Sequence, residues 1–275
     1  MSMKGYICPV CSKNLEIKDK CYICENRHCF DIAKQGYVNL LLSNQMNAKL
    51  PGDNKLMVNA RRDFLSKGYY SVLLEKLCET AEKHIHAGDT VMDVGCGEGY
   101  YTSGVYEALK EKNISVNMFG IDISKSALAC AGKRSHGIQY AVASAFHIPV
   151  NDGSCDVMMS LFAPYCGEEF SRILKSHGKM ILVIPSENHL WELKKAVYDK
   201  PYLNEVKDYA LDGFELSEKT KVQSVIKLDN NEDIKNLFSM TPYYYKTSAE
   251  GQQRLSELNT LETQIEFEIL VYKKQ

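Results

Sequence analysis

Short apolar runs alternate with helix-length amphipathic segments through the second part of the chain. The runs occupy residues 90–94, 116–121, 138–142, 155–161 and 179–184. This alternation is typical of strands joined by crossover helices. Two more strands are expected at 221–228 and 263–272, as an antiparallel hairpin at one edge. The pattern therefore predicts an α/β, Rossmann-like fold with a doubly wound, seven-stranded sheet.

The N-terminal part follows a different pattern. Residues 1–36 are rich in Cys and lack helical periodicity, so a separate, metal-held ribbon is expected there. Residues 37–87 are expected to form a helical linker that contributes to the main pocket, with helices near 55–66 and 70–84. Residues 88–275 then form the catalytic domain.

Composition fits one large domain with a small appendage. The chain has 275 residues, of which 45% are hydrophobic and 25% charged. No apolar run is long enough to span a bilayer, and the N-terminus lacks the apolar core of a signal peptide. We therefore expect a cytoplasmic protein without a membrane partner. In that reducing compartment, the ten cysteines are expected to be metal ligands, core residues or catalytic groups.

Charge is unevenly distributed along the chain. Residues 1–70 carry 11 Lys and Arg against 6 Asp and Glu, a net of +5, and the other 205 carry 22 against 29, a net of −7. A basic segment beside an acidic body suits a module that contacts phosphates, although ordinary solvated charge explains the pattern equally well. The candidate phosphate contacts are Lys34, Lys49, Arg61 and Arg62.

Four residues near the N-terminus have the spacing of zinc ligands. Cys8, Cys11, Cys24 and His28 form a C-x2-C-x12-C-x3-H arrangement. Cys21 and Cys24 make a second C-x2-C pair, so an all-cysteine site is an alternative, and we prefer His28 over Cys21. Four protein ligands leave no open position for substrate, which indicates a structural role.

A glycine-rich turn follows the first strand of the catalytic domain. Gly95, Gly97 and Gly99 have the spacing Gly-x-Gly-x-Gly, and Asp93 lies two positions before the first glycine. The spacing differs from the G-x-G-x-x-G of dinucleotide enzymes, so an NAD-dependent oxidoreductase is disfavoured. Asp122, at the end of the second strand, lies where an acidic residue accepts hydrogen bonds from ribose hydroxyls.

These residues carry a resemblance to known enzymes. The sequence DVGCGEGYYT at 93–102 resembles class I S-adenosylmethionine-dependent methyltransferases. The similarity narrows to the guanine-N1 methyltransferases of large-subunit ribosomal RNA, which include the tylosin-resistance methyltransferase. The motifs that carry it span nearly the whole chain and lie at 8–11, 22–31, 33–40, 51–53, 60–65, 68–70, 163–164 and 189–194.

The resemblance implies an activity and a set of contacts. The activity is methyl transfer from S-adenosylmethionine to N1 of a guanine in a hairpin loop of large-subunit (23S) rRNA, with one structural zinc ion per chain. By resemblance, Cys8, Cys11, Cys24 and His28 would hold the zinc, and Tyr70, Gly97, Glu98 and His189 would contact the cofactor. Asp93 and Gly95 are added to the predicted cofactor contacts because they belong to the glycine-rich turn, and Asp122 is added because of its expected contact with the ribose hydroxyls. Ser144 is a candidate for adenine recognition, since many methyltransferases carry an acidic residue at that strand end; the backbone is the alternative.

The chemistry also makes demands on the base. Guanine N1 lies on the Watson–Crick edge, so the base must be unpaired or flipped out. Residues 161–165 follow the fourth strand, at the end of the sheet where ligands bind. Phe162 and Tyr165 are therefore candidates to stack the guanine, with core or loop packing as the alternative for each. The sequence identifies no proton acceptor, and Glu168 and Glu169 are better explained as the start of a helix.

Two rival functions remain at this point. A small-molecule methyltransferase of the same fold would need no basic appendage, and its turnover would survive loss of residues 1–36. A zinc-dependent RNA-binding factor that has lost catalysis would not bind S-adenosylmethionine. The sequence leaves open which guanine is modified, whether methylation confers macrolide resistance, and whether the chain forms a homodimer.

Overall fold

A computed structural model describes residues 5–45, 52–206 and 209–275. The strands of these segments are β1 (Leu15–Lys18), β2 (Cys21–Cys24), β3 (Cys29–Asp31), β4 (Tyr37–Asn39), β5 (Thr90–Val94), β6 (Asn117–Asp122), β7 (Gln139–Val142), β8 (Cys155–Leu161), β9 (Leu174–Pro185), β10 (Phe214–Leu228) and β11 (Leu261–Lys274). The α-helices are α1 (Lys55–Ser66), α2 (Ser71–His84), α3 (Tyr100–Glu111), α4 (Lys125–Arg134), α5 (Gly167–Ile173), α6 (Trp191–Val197), α7 (Asn231–Ser239) and α8 (Ala249–Glu257).

The larger part of the molecule is built on one mixed sheet. Its strand order is β10-β11-β9-β8-β5-β6-β7-β4. The strands from β9 to β4 run parallel to their neighbours, whereas β11 is antiparallel to both β9 and β10. The predicted α/β fold is confirmed, including the hairpin of the last two strands. Beyond the seven predicted strands, β4 adds an eighth at the edge, from a region expected to be helical.

The central strands are buried on both faces, as parallel strands between helices are. All five residues of β5 are buried, and its three apolar side chains enter two separate clusters. Val91 joins one cluster, while Met92 and Val94 join the other. The ligand-bearing turns therefore start from a rigid base, at the carboxyl ends of the strands.

Polar caps fix where the pocket-forming helices begin. The Asn54 side chain accepts a hydrogen bond from the backbone N–H of Met57 (3.0 Å), which starts α1 at the predicted residue. The Ser124 hydroxyl caps α4 in the same way. Helix α8 and the short 3-10 helix Pro242–Tyr245 were not predicted.

The N-terminal ribbon packs against the large sheet. Strands β1, β2 and β3 form their own antiparallel sheet, and the crossover of residues 143–154, between β7 and β8, contains no helix. The ribbon lies against that face instead. Tyr6 packs edge-on against Phe119 of β6, with ring centroids 5.4 Å apart, and its hydroxyl donates to the Gln139 carbonyl (2.8 Å). One apolar cluster therefore contains side chains of both the ribbon and the sheet.

No helix among the described residues combines the length and the apolar character that crossing a bilayer would require.

Candidate active site and metal centre

The four predicted zinc ligands come together in the ribbon. Their ligand atoms all lie within 4.8 Å of one another. His28 Nδ1 is 3.5 Å from the Cys8 sulfur and 3.4 Å from the Cys24 sulfur, and the Cys11 and Cys24 sulfurs are 3.7 Å apart. Tetrahedral zinc, with bonds of about 2.3 Å to sulfur and about 2.0 Å to nitrogen, requires separations of about 3.5–3.8 Å. The donor set therefore fits one zinc ion.

Local turns bring the ligands to that point. Ser12 and Arg27 adopt left-handed backbone conformations, each in a tight turn closed by a hydrogen bond to the carbonyl of a ligand cysteine. A hydrogen bond from the Lys13 backbone lowers the pKa of the Cys11 thiol to about 6, which favours the thiolate that a metal needs. Cys21 is outside the cluster, and its thiol donates to the Lys18 carbonyl (3.3 Å). The alternative all-cysteine site is thus not the one that the fold assembles.

The second site is a cleft of about 1020 Å³ at the carboxyl ends of the sheet strands. It receives side chains from the ribbon-to-helix linker, the glycine turn and the segment after β9. Its lining includes all eight of the predicted cofactor contacts, namely Tyr70, Asp93, Gly95, Gly97, Glu98, Asp122, Ser144 and His189.

The glycine turn lets backbone approach backbone at the floor of this cleft. Gly95 has φ = +81°, and a Cβ built there would lie 2.5 Å from the Ala163 Cβ. Gly99 has φ = +82°, and its Cβ would lie 2.9 Å from the Ala131 Cα. Any side chain at either position would be strained and would clash, so the turn requires glycine.

Two carboxyl groups flank the turn, the buried Asp93 and the half-buried Asp122. One Asp93 oxygen accepts a hydrogen bond from the Thr102 hydroxyl (2.5 Å), and burial raises the pKa of Asp93 to about 7. Asp122 accepts hydrogen bonds from the backbone N–H groups of Gly97 (2.9 Å) and Ser124 (2.7 Å). Burial raises the pKa of Asp122 as well, and these two hydrogen bonds oppose the rise.

Of the seven buried side-chain polar atoms that lack a hydrogen-bond partner among the described residues, three belong to residues that line the cleft. They are Asp93 Oδ1, the Tyr70 hydroxyl and the Tyr101 hydroxyl. Buried polar atoms in native proteins are normally paired, so such a group of atoms indicates a polar ligand. S-adenosylmethionine fits this donor set, because its ammonium, carboxylate and ribose groups offer both donors and acceptors.

His189 is held neutral beside Tyr70. Burial lowers the pKa of His189 to about 3, and its Nδ1 accepts a hydrogen bond from the Glu266 backbone N–H (3.2 Å). The ring proton therefore resides on Nε2, which makes that atom a hydrogen-bond donor. The His189 ring also packs on Phe267, with centroids 4.5 Å apart.

Two arginines interact with the cleft in ways that the sequence did not predict, Arg61 as a lining residue and Arg134 through the lining residue Glu98. Arg134 pairs with the buried Glu98, with Nε 2.7 Å from Oε2. Arg61 pairs with Asp53 and donates to the Met240 carbonyl (3.2 Å), so it is occupied inside the cleft. In the sequence, nothing but its position at the end of a helix distinguishes Arg134. Asp53 belongs to the motif at 51–53, to which no function was assigned from the sequence.

The two candidate stacking residues lie in different surroundings. Phe162 lines the cleft, has φ = +57°, and lies near Tyr101 (6.3 Å between ring centroids) and Phe267 (5.6 Å). Tyr165 is not part of the cleft lining, and its ring packs edge-on against Phe170 at 5.4 Å. Glu169 lies in the first turn of α5 and pairs with Arg172, in keeping with a helix-starting role.

Two of the remaining phosphate candidates, Lys34 and Arg62, reach the surface. Lys34 is exposed. Arg62 is half-exposed and pairs with Asp63 at 2.8 Å. Lys49 lies outside the described residues.

Comparison with known proteins agrees with both sites. Residues 6–49 match the zinc-ribbon family described as RlmA, N-terminal, and residues 85–242 match a methyltransferase domain family. The chain is 36% identical over 193 residues to the 23S rRNA (guanine(748)-N(1))-methyltransferase of Streptomyces fradiae. The aligned region covers 69% of this chain and 66% of that relative.

Two further relatives share the same description, each given provisionally as a 23S rRNA (guanine-N(1)-)-methyltransferase. YxjB of Bacillus subtilis (strain 168) is 28% identical over 97% of this chain and 96% of its own length. A protein of Micromonospora griseorubida is 33% identical over 68% of this chain and 67% of its own length. With its zinc ribbon and S-adenosylmethionine-dependent methyltransferase fold, the chain belongs to the family of RlmA-type 23S rRNA (guanine-N1)-methyltransferases.

Proposed function

We propose that this protein transfers the methyl group of S-adenosylmethionine to N1 of an unpaired guanine in large-subunit rRNA. The observation that carries the proposal is the group of unpartnered polar atoms beside the glycine turn, in a cleft that an exposed aromatic ring borders. The names of the relatives supply the substrate class. We further propose that the protein acts in the cytoplasm; the homodimer stays a prediction.

Different residues of the cleft would contact different groups of the cofactor. Asp93 Oδ1 would receive the ammonium group, and His189 Nε2 and the Tyr70 hydroxyl would donate to the carboxylate. Asp122 would accept from the ribose hydroxyls, because each of its oxygens retains a free lone pair. Gly95 and Gly97 would allow close approach of the backbone, and Ser144 would contact the adenine. Arg134 fixes Glu98 for its proposed contact. When bound, S-adenosylmethionine supplies an electrophilic methyl group.

The protein's own contribution is chiefly to position the base. Phe162 would stack the flipped guanine at the cleft mouth, and such a contact is worth about 1–3 kcal/mol. A non-glycine residue with positive φ costs of order 1 kcal/mol or more, which favours a functional reason for the Phe162 backbone. Tyr165 is the weaker candidate, since its ring is engaged with Phe170. Because N1 must lose its proton and approach in line, correct orientation carries much of the rate.

RNA phosphates would be contacted from the basic N-terminal segment. Lys34 and Arg62 have the exposure that such contacts need, and Lys49 stays a prediction. Arg61 is better explained as a cleft residue, because it lines the cleft, where it pairs with Asp53 and donates to the Met240 carbonyl. The zinc ion would keep the ribbon folded.

Reverse transcription tests the proposal. Purified protein and S-adenosylmethionine are incubated with large-subunit rRNA from cells that lack the enzyme, and new stops are mapped, since N1-methylation blocks base pairing. We expect one new stop at a guanine, and none with an Asp122→Ala variant. Absence of a stop while cofactor binding is intact would overturn the N1 assignment and favour another RNA atom or a small-molecule acceptor.

A further inference from the structure

One wall of the cofactor cleft is a segment without regular secondary structure. Residues 199–206, which we call the strap, follow α6, and Tyr202, Leu203 and Asn204 of the strap line the cleft. Tyr202 and Leu203 are largely exposed, at 48% and 42%. The Tyr202 ring packs on that of Tyr198, with centroids 5.5 Å apart, but much of the strap's apolar surface stays exposed, so polar contacts are needed to hold the strap in place.

Those contacts converge on one buried lysine. Lys194 of α6 is 0% exposed, and its ammonium nitrogen donates to the Tyr202 carbonyl (3.0 Å) and to Asn204 Oδ1 (2.6 Å). The same nitrogen lies 4.8 Å from the ring centroid of Tyr202 and 5.3 Å from that of Tyr243. Lys194 is thus enclosed by acceptors and aromatic faces, most of them from the strap.

The lysine is an unusual choice for this position. Among the described residues, no carboxylate pairs with its ammonium, and burial alone lowers the pKa of Lys194. A buried cation without a counter-charge is costly. Asp199, at the start of the strap, pairs with Arg254 instead. A methionine would fill the same volume without that cost, so packing alone does not explain Lys194.

The network continues from the strap to the cofactor residues. The Asn204 side chain donates to the Ser186 carbonyl (2.7 Å), and its backbone N–H donates to the Glu187 carbonyl (3.0 Å). Three residues after Ser186 comes His189, the neutral histidine of the cleft. One lysine thus links the strap, through Asn204, to the turn that presents His189.

We propose that Lys194 is a positioning residue that holds the strap against the cleft and so completes the cofactor site. The inference rests on the proposed function for the identity of the ligand, S-adenosylmethionine. The holding role itself rests on the contacts of Lys194 and is measurable without any ligand. Lys194 acts through Asn204 and Tyr202 and has no direct role in methyl transfer.

The test compares Lys194→Met with the matched control Lys195→Met. Lys195 is the next residue of α6 and is half-exposed, with its ammonium 3.7 Å from Glu192. We expect Lys194→Met to speed amide hydrogen exchange in residues 199–206 of the cofactor-free protein about tenfold, with exchange in β5 and β8 unchanged. Its Kd for S-adenosylmethionine, from calorimetry, should rise about tenfold because the wall is no longer ordered in advance. Lys195→Met should change neither quantity.

A second variant covers the case in which Lys194→Met does not fold. Asn204→Ala retains the lysine but removes one of its acceptors and the link to Ser186, and we expect faster exchange confined to the same segment. Exchange in 199–206 that matches wild type in both variants would overturn the proposal, and so would an equal increase throughout the sheet. If wild type itself fails to bind S-adenosylmethionine, the proposed function fails, while the exchange data still decide the role of Lys194.

Discussion

Replacing Asp93 by Asn tests the electrostatics of the cofactor cleft. Burial raises the pKa of Asp93 from 3.8 to about 7, so the ionised carboxylate destabilises the folded protein. The penalty is absent below pH 3.8, grows as the pH rises, and is complete above pH 7. At about 1.4 kcal/mol per pKa unit, it reaches about 4 kcal/mol at pH 8. Asn keeps an acceptor for Thr102 and removes the charge.

The sign of the pH dependence follows from that penalty. Between pH 5 and pH 8, the free energy of unfolding of the cofactor-free wild type should fall by about 3 kcal/mol relative to Asp93→Asn. The new amide nitrogen is buried without a partner, which adds a cost of about 1–3 kcal/mol that does not vary with pH. The difference in slope is therefore the quantity to measure. Urea denaturation followed by the fluorescence of Trp191, the single tryptophan, gives it directly.

Asp93→Asn should weaken cofactor binding, although it removes the destabilising charge from the folded protein. Loss of a charge-assisted hydrogen bond to the ammonium group, worth about 1.5–3 kcal/mol, should weaken the binding of S-adenosylmethionine about 10- to 100-fold. Wild type should also release about half a proton on binding at pH 7, because the arriving cation favours the ionised carboxyl. Calorimetry in buffers of different ionisation enthalpy measures that proton.

Asp229→Asn is the matched control, since the Asp229 side chain is 68% exposed. Parallel stability curves for wild type and Asp93→Asn would refute the raised pKa. An unchanged Kd would refute the assignment of the ammonium group to Asp93.

Three other substitutions or treatments test separate parts of the structure. Arg134→Met leaves Glu98 buried without its partner and should lower the free energy of unfolding by about 3 kcal/mol in urea denaturation, whereas the exposed neighbour Lys133→Met should be nearly neutral. Removing zinc with a strong chelator should lower the temperature at which Trp191 fluorescence reports unfolding, although that residue lies far along the chain from the ribbon, because ribbon and sheet share a cluster. Phe162→Ala should raise the KM for RNA about 5- to 100-fold and leave the Kd of S-adenosylmethionine within about twofold, with Tyr165→Ala as the weaker variant in the same methylation assay.

The sequence predicted those elements whose signals are local. Helix α1 begins at its cap, Asn54, and β5 and β8 have the predicted bounds because Gly, Pro and polar turn residues flank their apolar runs. The four zinc ligands were predictable for the same reason, because each pair of ligands lies within one short turn and has a characteristic spacing in the sequence. Strand β4 was missed because it has three residues and acquires its identity only by pairing with β7.

Long-range contacts account for what the sequence did not reveal. Arg61 was expected at a phosphate, yet it turns into the cleft towards Asp53 and the Met240 carbonyl, which is 179 residues away in sequence. In the sequence, Phe162 and Tyr165 are two aromatic residues three positions apart, and nothing distinguishes their roles. In the structure, Phe162 has a left-handed backbone conformation, and the two rings contact different neighbours. The strap likewise has no periodic pattern in the sequence, and the contacts of Tyr202 and Asn204 with Lys194 become visible only in the structure.

The docking of the ribbon bears on how a target guanine is selected. Tyr6, Leu15 and Tyr22 of the ribbon share a cluster with Phe119 and Ile121 of the sheet, where a crossover helix would otherwise lie. Swinging the ribbon away would expose that face, at a cost of about 25 cal/mol for each Å² of apolar surface. The ribbon therefore keeps a fixed position relative to the cleft. With RNA at the ribbon surface and the base at Phe162, as proposed, a fixed ribbon would set the distance between the two. The fold would then select a guanine by its distance from a recognised backbone, without reading every neighbouring base.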